Sequence, residues 1–269
     1  MIKTVVYETH QVRVQIEDPR EHMQRYWDWG IFYESHSSLL TEFFVPNPTQ
    51  NNGSGAIDWR KLKFFGGRLL SQIRDGGKNQ GGMLDYVAKH YKGGGFIDVG
   101  SAIGNHSLFF AVVCEADQVL SFEPIAELAA QHRRNIELNA LNTMVVYDVA
   151  LGKYRGLAAI EKADMHRNAG TSRIKDQGIP IAMDTLDNLL AEVDTPGITL
   201  IKIDVEGYSL PVLEGAAKTL NQFHPDLFVE CGTRTELQEV QSYLCTRGYQ
   251  REPGVFNRTP TYLFKAKPL

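Results

Sequence analysis

The chain has 269 residues, 43% hydrophobic and 22% charged, enough to bury one large core with a small accessory region beside it. Lysine and arginine total 28 against 32 for aspartate and glutamate, a formal charge of −4 with no basic run, which removes the electrostatic grounds for binding nucleic acid or an anionic membrane. Cys114, Cys231 and Cys245 are too few for a disulfide framework and too scattered for CxxC, so they read as thiols in a reducing compartment.

The first twenty residues carry polar groups throughout, and no stretch approaches the roughly 20 apolar residues of a membrane span, so a soluble, cytoplasmic chain is expected. Composition changes near Gly76, dividing the chain into an N-terminal extension, 1–80, and a main domain, 81–269. In the extension, Val12–Ile16 alternates as a half-buried strand, and residues 45–56 have the proline, asparagine and glycine content of a loop. Trp27, Trp29, Phe32 and Tyr33 read as core or homodimer packing before they read as a substrate box. The extension is expected to shape the substrate pocket or to oligomerise.

The main domain has a clear rhythm. Leu84, Val87, Ala88 and Tyr91 mark an amphipathic helix, stopped by Gly93–Gly95 before the short apolar strand Phe96–Val99. Val119–Phe122 is a second strand, followed by a helix from Pro124 to about Leu141 with proline in its first turn. Met144–Tyr147 is a third. Leu157–Glu161 and Ile179–Met183 form an insertion of two extra strands around a polar loop, in which His166 and Asn168 are substrate-side candidates. Asp184 is placed to cap a helix bearing Leu186, Leu189, Leu190 and Val193. Thr199–Ile203 is a fourth strand, with one helix carrying Leu210, Leu213, Ala217 and Leu220. Leu227–Val229 is a fifth, with a helix carrying Leu237, Val240 and Leu244, and Tyr262–Lys265 closes the domain as an antiparallel edge. Short apolar strands alternating with helices predict an α/β, doubly wound, mostly parallel sheet of seven strands.

Ligands of such sheets bind at the carboxyl ends of the strands, beside the switch in strand order. There the run Phe96–His106 places Gly100 and Gly104 where the backbone must turn tightly ahead of a helix. Asp98 at the head of this loop would repel a pyrophosphate, and GxGxxG is absent. S-adenosylmethionine, which carries an ammonium and a sulfonium and no phosphate, suits an acid there. Glu123 closes the second strand, where a carboxylate can accept from ribose hydroxyls, and Asp148 closes the third, within reach of an adenine amino group. Each acid alone is explained as well by a turn or a cap; three closing successive strands beside one glycine loop are not.

The fourth strand ends in Lys202, Asp204 and Glu206. A lysine inside an apolar strand is costly unless paired, and Lys202 and Asp204 share a face by the period of two. Glu230, ending the fifth strand, is placed to complete an ionic cluster and to orient Lys202. A buried structural network is the competing reading of Lys202 and Glu230. Methyl transfer to a hydroxyl needs an in-line geometry and a base for the proton. Asp204 is the first candidate base, Glu206 the second and His106 the third. A divalent metal held by Asp204, Glu206 and Glu230 is a further reading, since hard cations prefer carboxylates, but no HxxxH or similar spacing supports it.

Taken in order, FIDVGSAIGNHSLFFA (96–111), VLSFEPIAELAAQHRRNIELN (119–139), ALG (150–152), MDTLDNLL (183–190), LIKIDVEGYSLPVLEGA (200–216) and LFVE (227–230) resemble the FkbM-type methyltransferases over residues 83–245. The resemblance implies the class I methyltransferase, Rossmann-like fold, S-adenosylmethionine as donor, and O-methylation of a small molecule, typically a sugar or natural-product hydroxyl. It implies that Asp98, Gly100, Gly104, Asn105, Glu123 and Ala150 line the cofactor and that Lys202, Asp204 and Glu206 lie near the reacting centre; the adjoining Ser101, Pro124 and Val149, and Asp204 as well, are expected to touch the cofactor. Ser101 stands where the family usually has alanine, and His106 where a bulky or aromatic residue is frequent. A nicotinamide-dependent dehydrogenase and a non-catalytic cofactor-binding module are the alternatives.

Overall fold

The computed structural model describes residues 83–161, 173–175, 178–257 and 259–267, together with four strands nearer the N-terminus. Those four form two antiparallel pairs, β1 (Thr4–Thr9) with β2 (Val12–Glu17), and β3 (Leu40–Pro46) with β4 (Trp59–Phe65). The strand expected at Val12–Ile16 is therefore present. Val45 and Pro46, expected in a loop, end β3 instead. Trp27, Trp29, Phe32, Tyr33, His166 and Asn168 lie outside the described residues.

Seven strands build the main sheet: β5 (Gly95–Val99), β6 (Gln118–Phe122), β7 (Met144–Tyr147), β12 (Ile198–Ile203), β13 (Asp226–Glu230), β14 (Tyr249–Arg251) and β15 (Thr261–Ala266). Their order is β14-β15-β13-β12-β5-β6-β7, and only β15 runs antiparallel to its neighbours. From β5 the chain winds outward to β6 and β7, then returns to β12 on the other side. The switch point thus falls between β5 and β12.

Side chains alternate across this sheet and bury both faces, which is why its strands read as apolar runs. Phe96, Val119, Leu200 and Phe228 pack on one face with helices α1 (Met83–His90) and α2 (Asn105–Val112). Ile97, Leu120, Ile201 and Val229 pack on the other with α4 (Leu186–Leu190), α5 (Ser209–Glu214), α6 (Ala217–Phe223) and α7 (Arg234–Cys245). Helix α3 (Ala126–Leu138) joins β6 to β7. The insertion is a four-stranded sheet, β10 (Arg173–Lys175), β9 (Gly156–Glu161), β11 (Ile179–Asp184) and β8 (Ala150–Leu151), in that order.

Local chemistry corrects several expectations. Pro124 precedes the α3 N-cap, Ile125, instead of occupying the first turn, and the helix stops at Leu138 because Ala140 takes a left-handed φ of 52°. Thr185, not Asp184, caps α4, accepting from Asn188 N at 3.1 Å; Asp184 ends β11 and accepts from Thr185 N at 2.7 Å. The single helix expected through Leu210–Leu220 is two, α5 and α6, parted at Gly215-Ala216. Among the described residues, no helix is long and apolar enough to cross a membrane.

Candidate active site

Register places the charged residues before any side chain is considered. Lys202 of β12 lies opposite Asp98 of β5, and Asp98 lies opposite Ser121 of β6. Lys202 Nζ donates to Asp98 Oδ1 at 2.9 Å and to the Gly100 carbonyl at 3.2 Å. Ser107 Oγ, from α2, donates to Asp98 Oδ2 at 2.5 Å and receives from Ser121 Oγ at 3.0 Å. Burial alone would raise the Asp98 carboxyl, but the Lys202 ammonium, with Ser107, outweighs it and holds it below the usual carboxylate range. Burial would lower Lys202, and Asp98 and Asp204 instead keep it above its ordinary value. The pair is a locked internal ion pair, closed to solvent. Asp98, expected at the cofactor, is spent on this pair and on Ser107.

Beyond the tips of β5, β6 and β12 lies a cleft of about 610 Å³ that is in part open to solvent. Of the expected cofactor residues, Gly100, Glu123, Pro124, Val149, Ala150 and Asp204 line it, and so does Glu206. Gly100 has φ 74°, and a Cβ there would fall 1.9 Å from the Asp204 carbonyl oxygen, so no side chain could let the two strand ends approach this closely. Ala102 and Glu206, also in the lining, hold left-handed φ of 48° and 40°, a strain of order 1–3 kcal/mol each that clusters at functional sites.

Glu123 is the best-anchored acid of the cleft. Its Oε2 accepts from Ala102 N and its Oε1 from Ile125 N, both at 2.9 Å. Burial pushes its carboxyl up to about 7 even so. Each oxygen retains a lone pair for a further donor.

Several expected residues stand elsewhere. Ser101 is buried, its Oγ 3.3 Å from His132 Nδ1. Gly104 caps α2 and Asn105 begins it, neither facing the cleft. Asp148 is engaged by both Nη atoms of Arg133, from α3, and is absent from the lining. His106 is buried behind the strand ends, its ring stacked toward Phe110 with centroids 6.4 Å apart. Burial and then Lys202 push its imidazole down to about 4, so it is neutral. It does not line the cleft, nor do Lys202 and Glu230.

Glu230 departs furthest from expectation. It ends β13 beside Asp204, since Ile203 and Val229, which precede the two acids, are register partners. Burial, then the charge of Asp204, push its carboxyl up to about 9, so it is not the anion expected to orient Lys202. Lys202 Nζ lies 3.4 Å from Asp204 Oδ2.

Sequence reasoning missed the apolar walls. Ile160 of β9 and Ile174 of β10, paired across the insertion sheet, line the cleft with Ile125 and Tyr208. The insertion was visible as strands, but nothing local says which face meets the switch point.

A model of the Methyltransferase FkbM domain matches residues 98–251. The chain is similar to the hexuronic acid methyltransferase AglP of Haloferax volcanii, 26% identical over 168 residues, 62% of this chain and 67% of that protein. It is also similar to Methyltransferase 1 of Beauveria bassiana, 25% identical over 180 residues, 57% of this chain and 71% of the other. Among solved structures, methyltransferase FkbM from Methylobacillus flagellatus KT aligns with a TM-score of 0.49 at 20% identity, over 64% of this chain and 43% of that one.

Proposed function

Because this chain belongs to the FkbM methyltransferase family, we propose that it uses S-adenosylmethionine to methylate a hydroxyl oxygen of a small molecule. One observation carries the donor: among the described residues, the charged ones lining the cleft, Glu123, Asp204 and Glu206, are all acids, and Lys202, beside Asp204, is locked to Asp98 behind the wall. That lining fits a cationic nucleoside and opposes a pyrophosphate.

Glu123 would hold the ribose hydroxyls with its remaining lone pairs, and Ile125 and Val149 would flank the base. Asp204 and Glu206 would face the sulfonium. When bound, S-adenosylmethionine supplies an electrophilic methyl group. The chain's own part is to line up the acceptor oxygen, exclude water with the Ile160 and Ile174 wall, and take the hydroxyl proton on Asp204, the cleft-lining carboxylate backed by Lys202. One relative is named for hexuronic acid, which puts sugars first in an acceptor panel.

Thermal unfolding with S-adenosylhomocysteine and with NAD, each at about 100 times a micromolar Kd, separates the donor classes. The first should raise Tm by roughly 5–10 °C, from about 2.7 kcal/mol of linkage, and the second should leave it unchanged. Stabilisation by NAD alone would defeat the reading. Methyl-labelled S-adenosylmethionine offered with sugar, phenol and aliphatic alcohol acceptors then tests the oxygen.

A further inference from the structure

The loop between β5 and α2 is held from two sides. Gly100 N and Ser101 N donate to the Phe122 carbonyl at 3.0 and 3.1 Å, and Ala102 N donates to Glu123, so β6 fixes its first half. From α3, Asn135 Nδ2 donates to the Ile103 carbonyl at 2.8 Å. His132, on the same face of that helix, has its Nδ1 3.3 Å from Ser101 Oγ, and both residues are buried. The other edge of the imidazole is pressed on Gly104: an added Cβ there would fall 2.3 Å from Nε2, and Nε2 has no hydrogen-bond partner among the described residues. A buried N–H without an acceptor is rarer than a bare acceptor, so the ring proton belongs on Nδ1, which donates to Ser101 Oγ. Between the two ties from α3 stands Ala102, which lines the cleft with a left-handed φ of 48°. Such a residue persists only where its surroundings over-determine it.

Resting on the methyl-transfer reading above, we propose that His132 is a positioning residue for the cofactor, its hydrogen bond to Ser101 holding the Ala102 turn in the shape that receives S-adenosylmethionine. It acts through the loop, since neither His132 nor Ser101 lines the cleft. The tie at Ile103 ends on backbone, whereas the tie at Ser101 needs a hydroxyl and a ring nitrogen together, so serine and histidine work as a unit. That gives Ser101 a part that alanine, usual at this position in the FkbM pattern, could not fill. Replacing Ser101 alone would leave both nitrogens of a buried ring without a partner.

Calorimetric titration of the full chain with S-adenosylhomocysteine tests this without any acceptor. S101A and H132Q should each weaken binding about three- to tenfold, the worth of one buried hydrogen bond. The double variant S101A/H132Q should be no weaker than the poorer single, because both remove the same contact. H132N should restore binding to within about twofold of the parent, since its amide stands at the level of Nδ1, whereas that of glutamine reaches toward Gly104. S101A binding within about twofold of the parent, or H132N as weak as H132Q, overturns the proposal and leaves the contact a packing feature of α3. Should the His132 variants not fold, by circular dichroism, S101A decides alone. A parent that fails to bind S-adenosylhomocysteine sinks the methyl-transfer reading and this role with it, whereas a parent that binds it no better than S101A sinks the proposal alone.

Discussion

Asp204 joins what the proposed base needs: a place in the cleft lining and a cation 3.4 Å behind one oxygen, with Glu230 at the end of the neighbouring strand. Asp204→Asn should leave S-adenosylhomocysteine affinity within a few-fold while lowering turnover roughly 10²–10⁴-fold, the span of general-base catalysis. Unchanged turnover on an accepted hydroxyl would remove Asp204 from the chemistry. At this scale the sequence was partly legible. Glu123 and Asp204 could be found because an acid closing an apolar strand points to the carboxyl end of the sheet. Asp98 and Asp148 carry the same local pattern but are consumed by partners that pattern does not show, Lys202 with Ser107 in one case and Arg133 in the other. Strand-end position names the candidates; the neighbouring element decides which one remains available.

Among the elements, the break between α5 and α6 falls where backbone packs directly on backbone. An added Cβ at Gly215 would lie 1.9 Å from the Gly152 carbonyl oxygen, at the point where the insertion leaves the main sheet. Glycine to alanine in an ordinary helix gains about 1 kcal/mol. Here Gly215→Ala should instead cost roughly 1–3 kcal/mol, the usual toll of overpacking against backbone. A urea midpoint that rises would show that the contact yields freely. The apolar run Leu210–Leu220 concealed this break because its spacing is helical on both sides. The seventh strand, Tyr249–Arg251, escaped notice for another reason: three residues, two of them exposed, are too short to show a period. Long buried strands such as β12 and β13 carried their own signature.

For the molecule as a whole, buried ionisable groups oppose one another. His106 and His132 are both held down at about 4 by burial, so the unfolded chain takes up their protons first and stability falls as pH drops from about 6.5 toward 4. Glu123 and Glu230, raised by burial to about 7 and about 9, act in the other direction: their contribution is complete below about 4.5 and is lost as pH rises through those values. Two groups of each kind leave the margin between about pH 4.5 and 6.5 nearly level as far as these four are concerned. His106→Phe, which keeps a ring against Phe110, removes one of the acid-sensitive pair. Relative to its own margin at pH 7, the variant should be about 2 kcal/mol more stable at pH 5 than the parent is, measured by urea denaturation at both values. Equal pH profiles would show that His106 is protonated in the fold.

The insertion sheet leaves and rejoins the main body almost at one point: Gly152 N donates to Asp184 O at 2.9 Å, and Leu151 is the register partner of Asp184. An excursion whose two feet are already stapled together can grow or shrink at little cost, since doubling a closed loop adds only about 0.6 kcal/mol of closure entropy. Ile160 and Ile174 ride on that excursion and form one wall of the cleft. On the proposed methyl-transfer reading, that wall can therefore be recut as a cassette between these two feet while the ion-paired sheet beneath is left untouched.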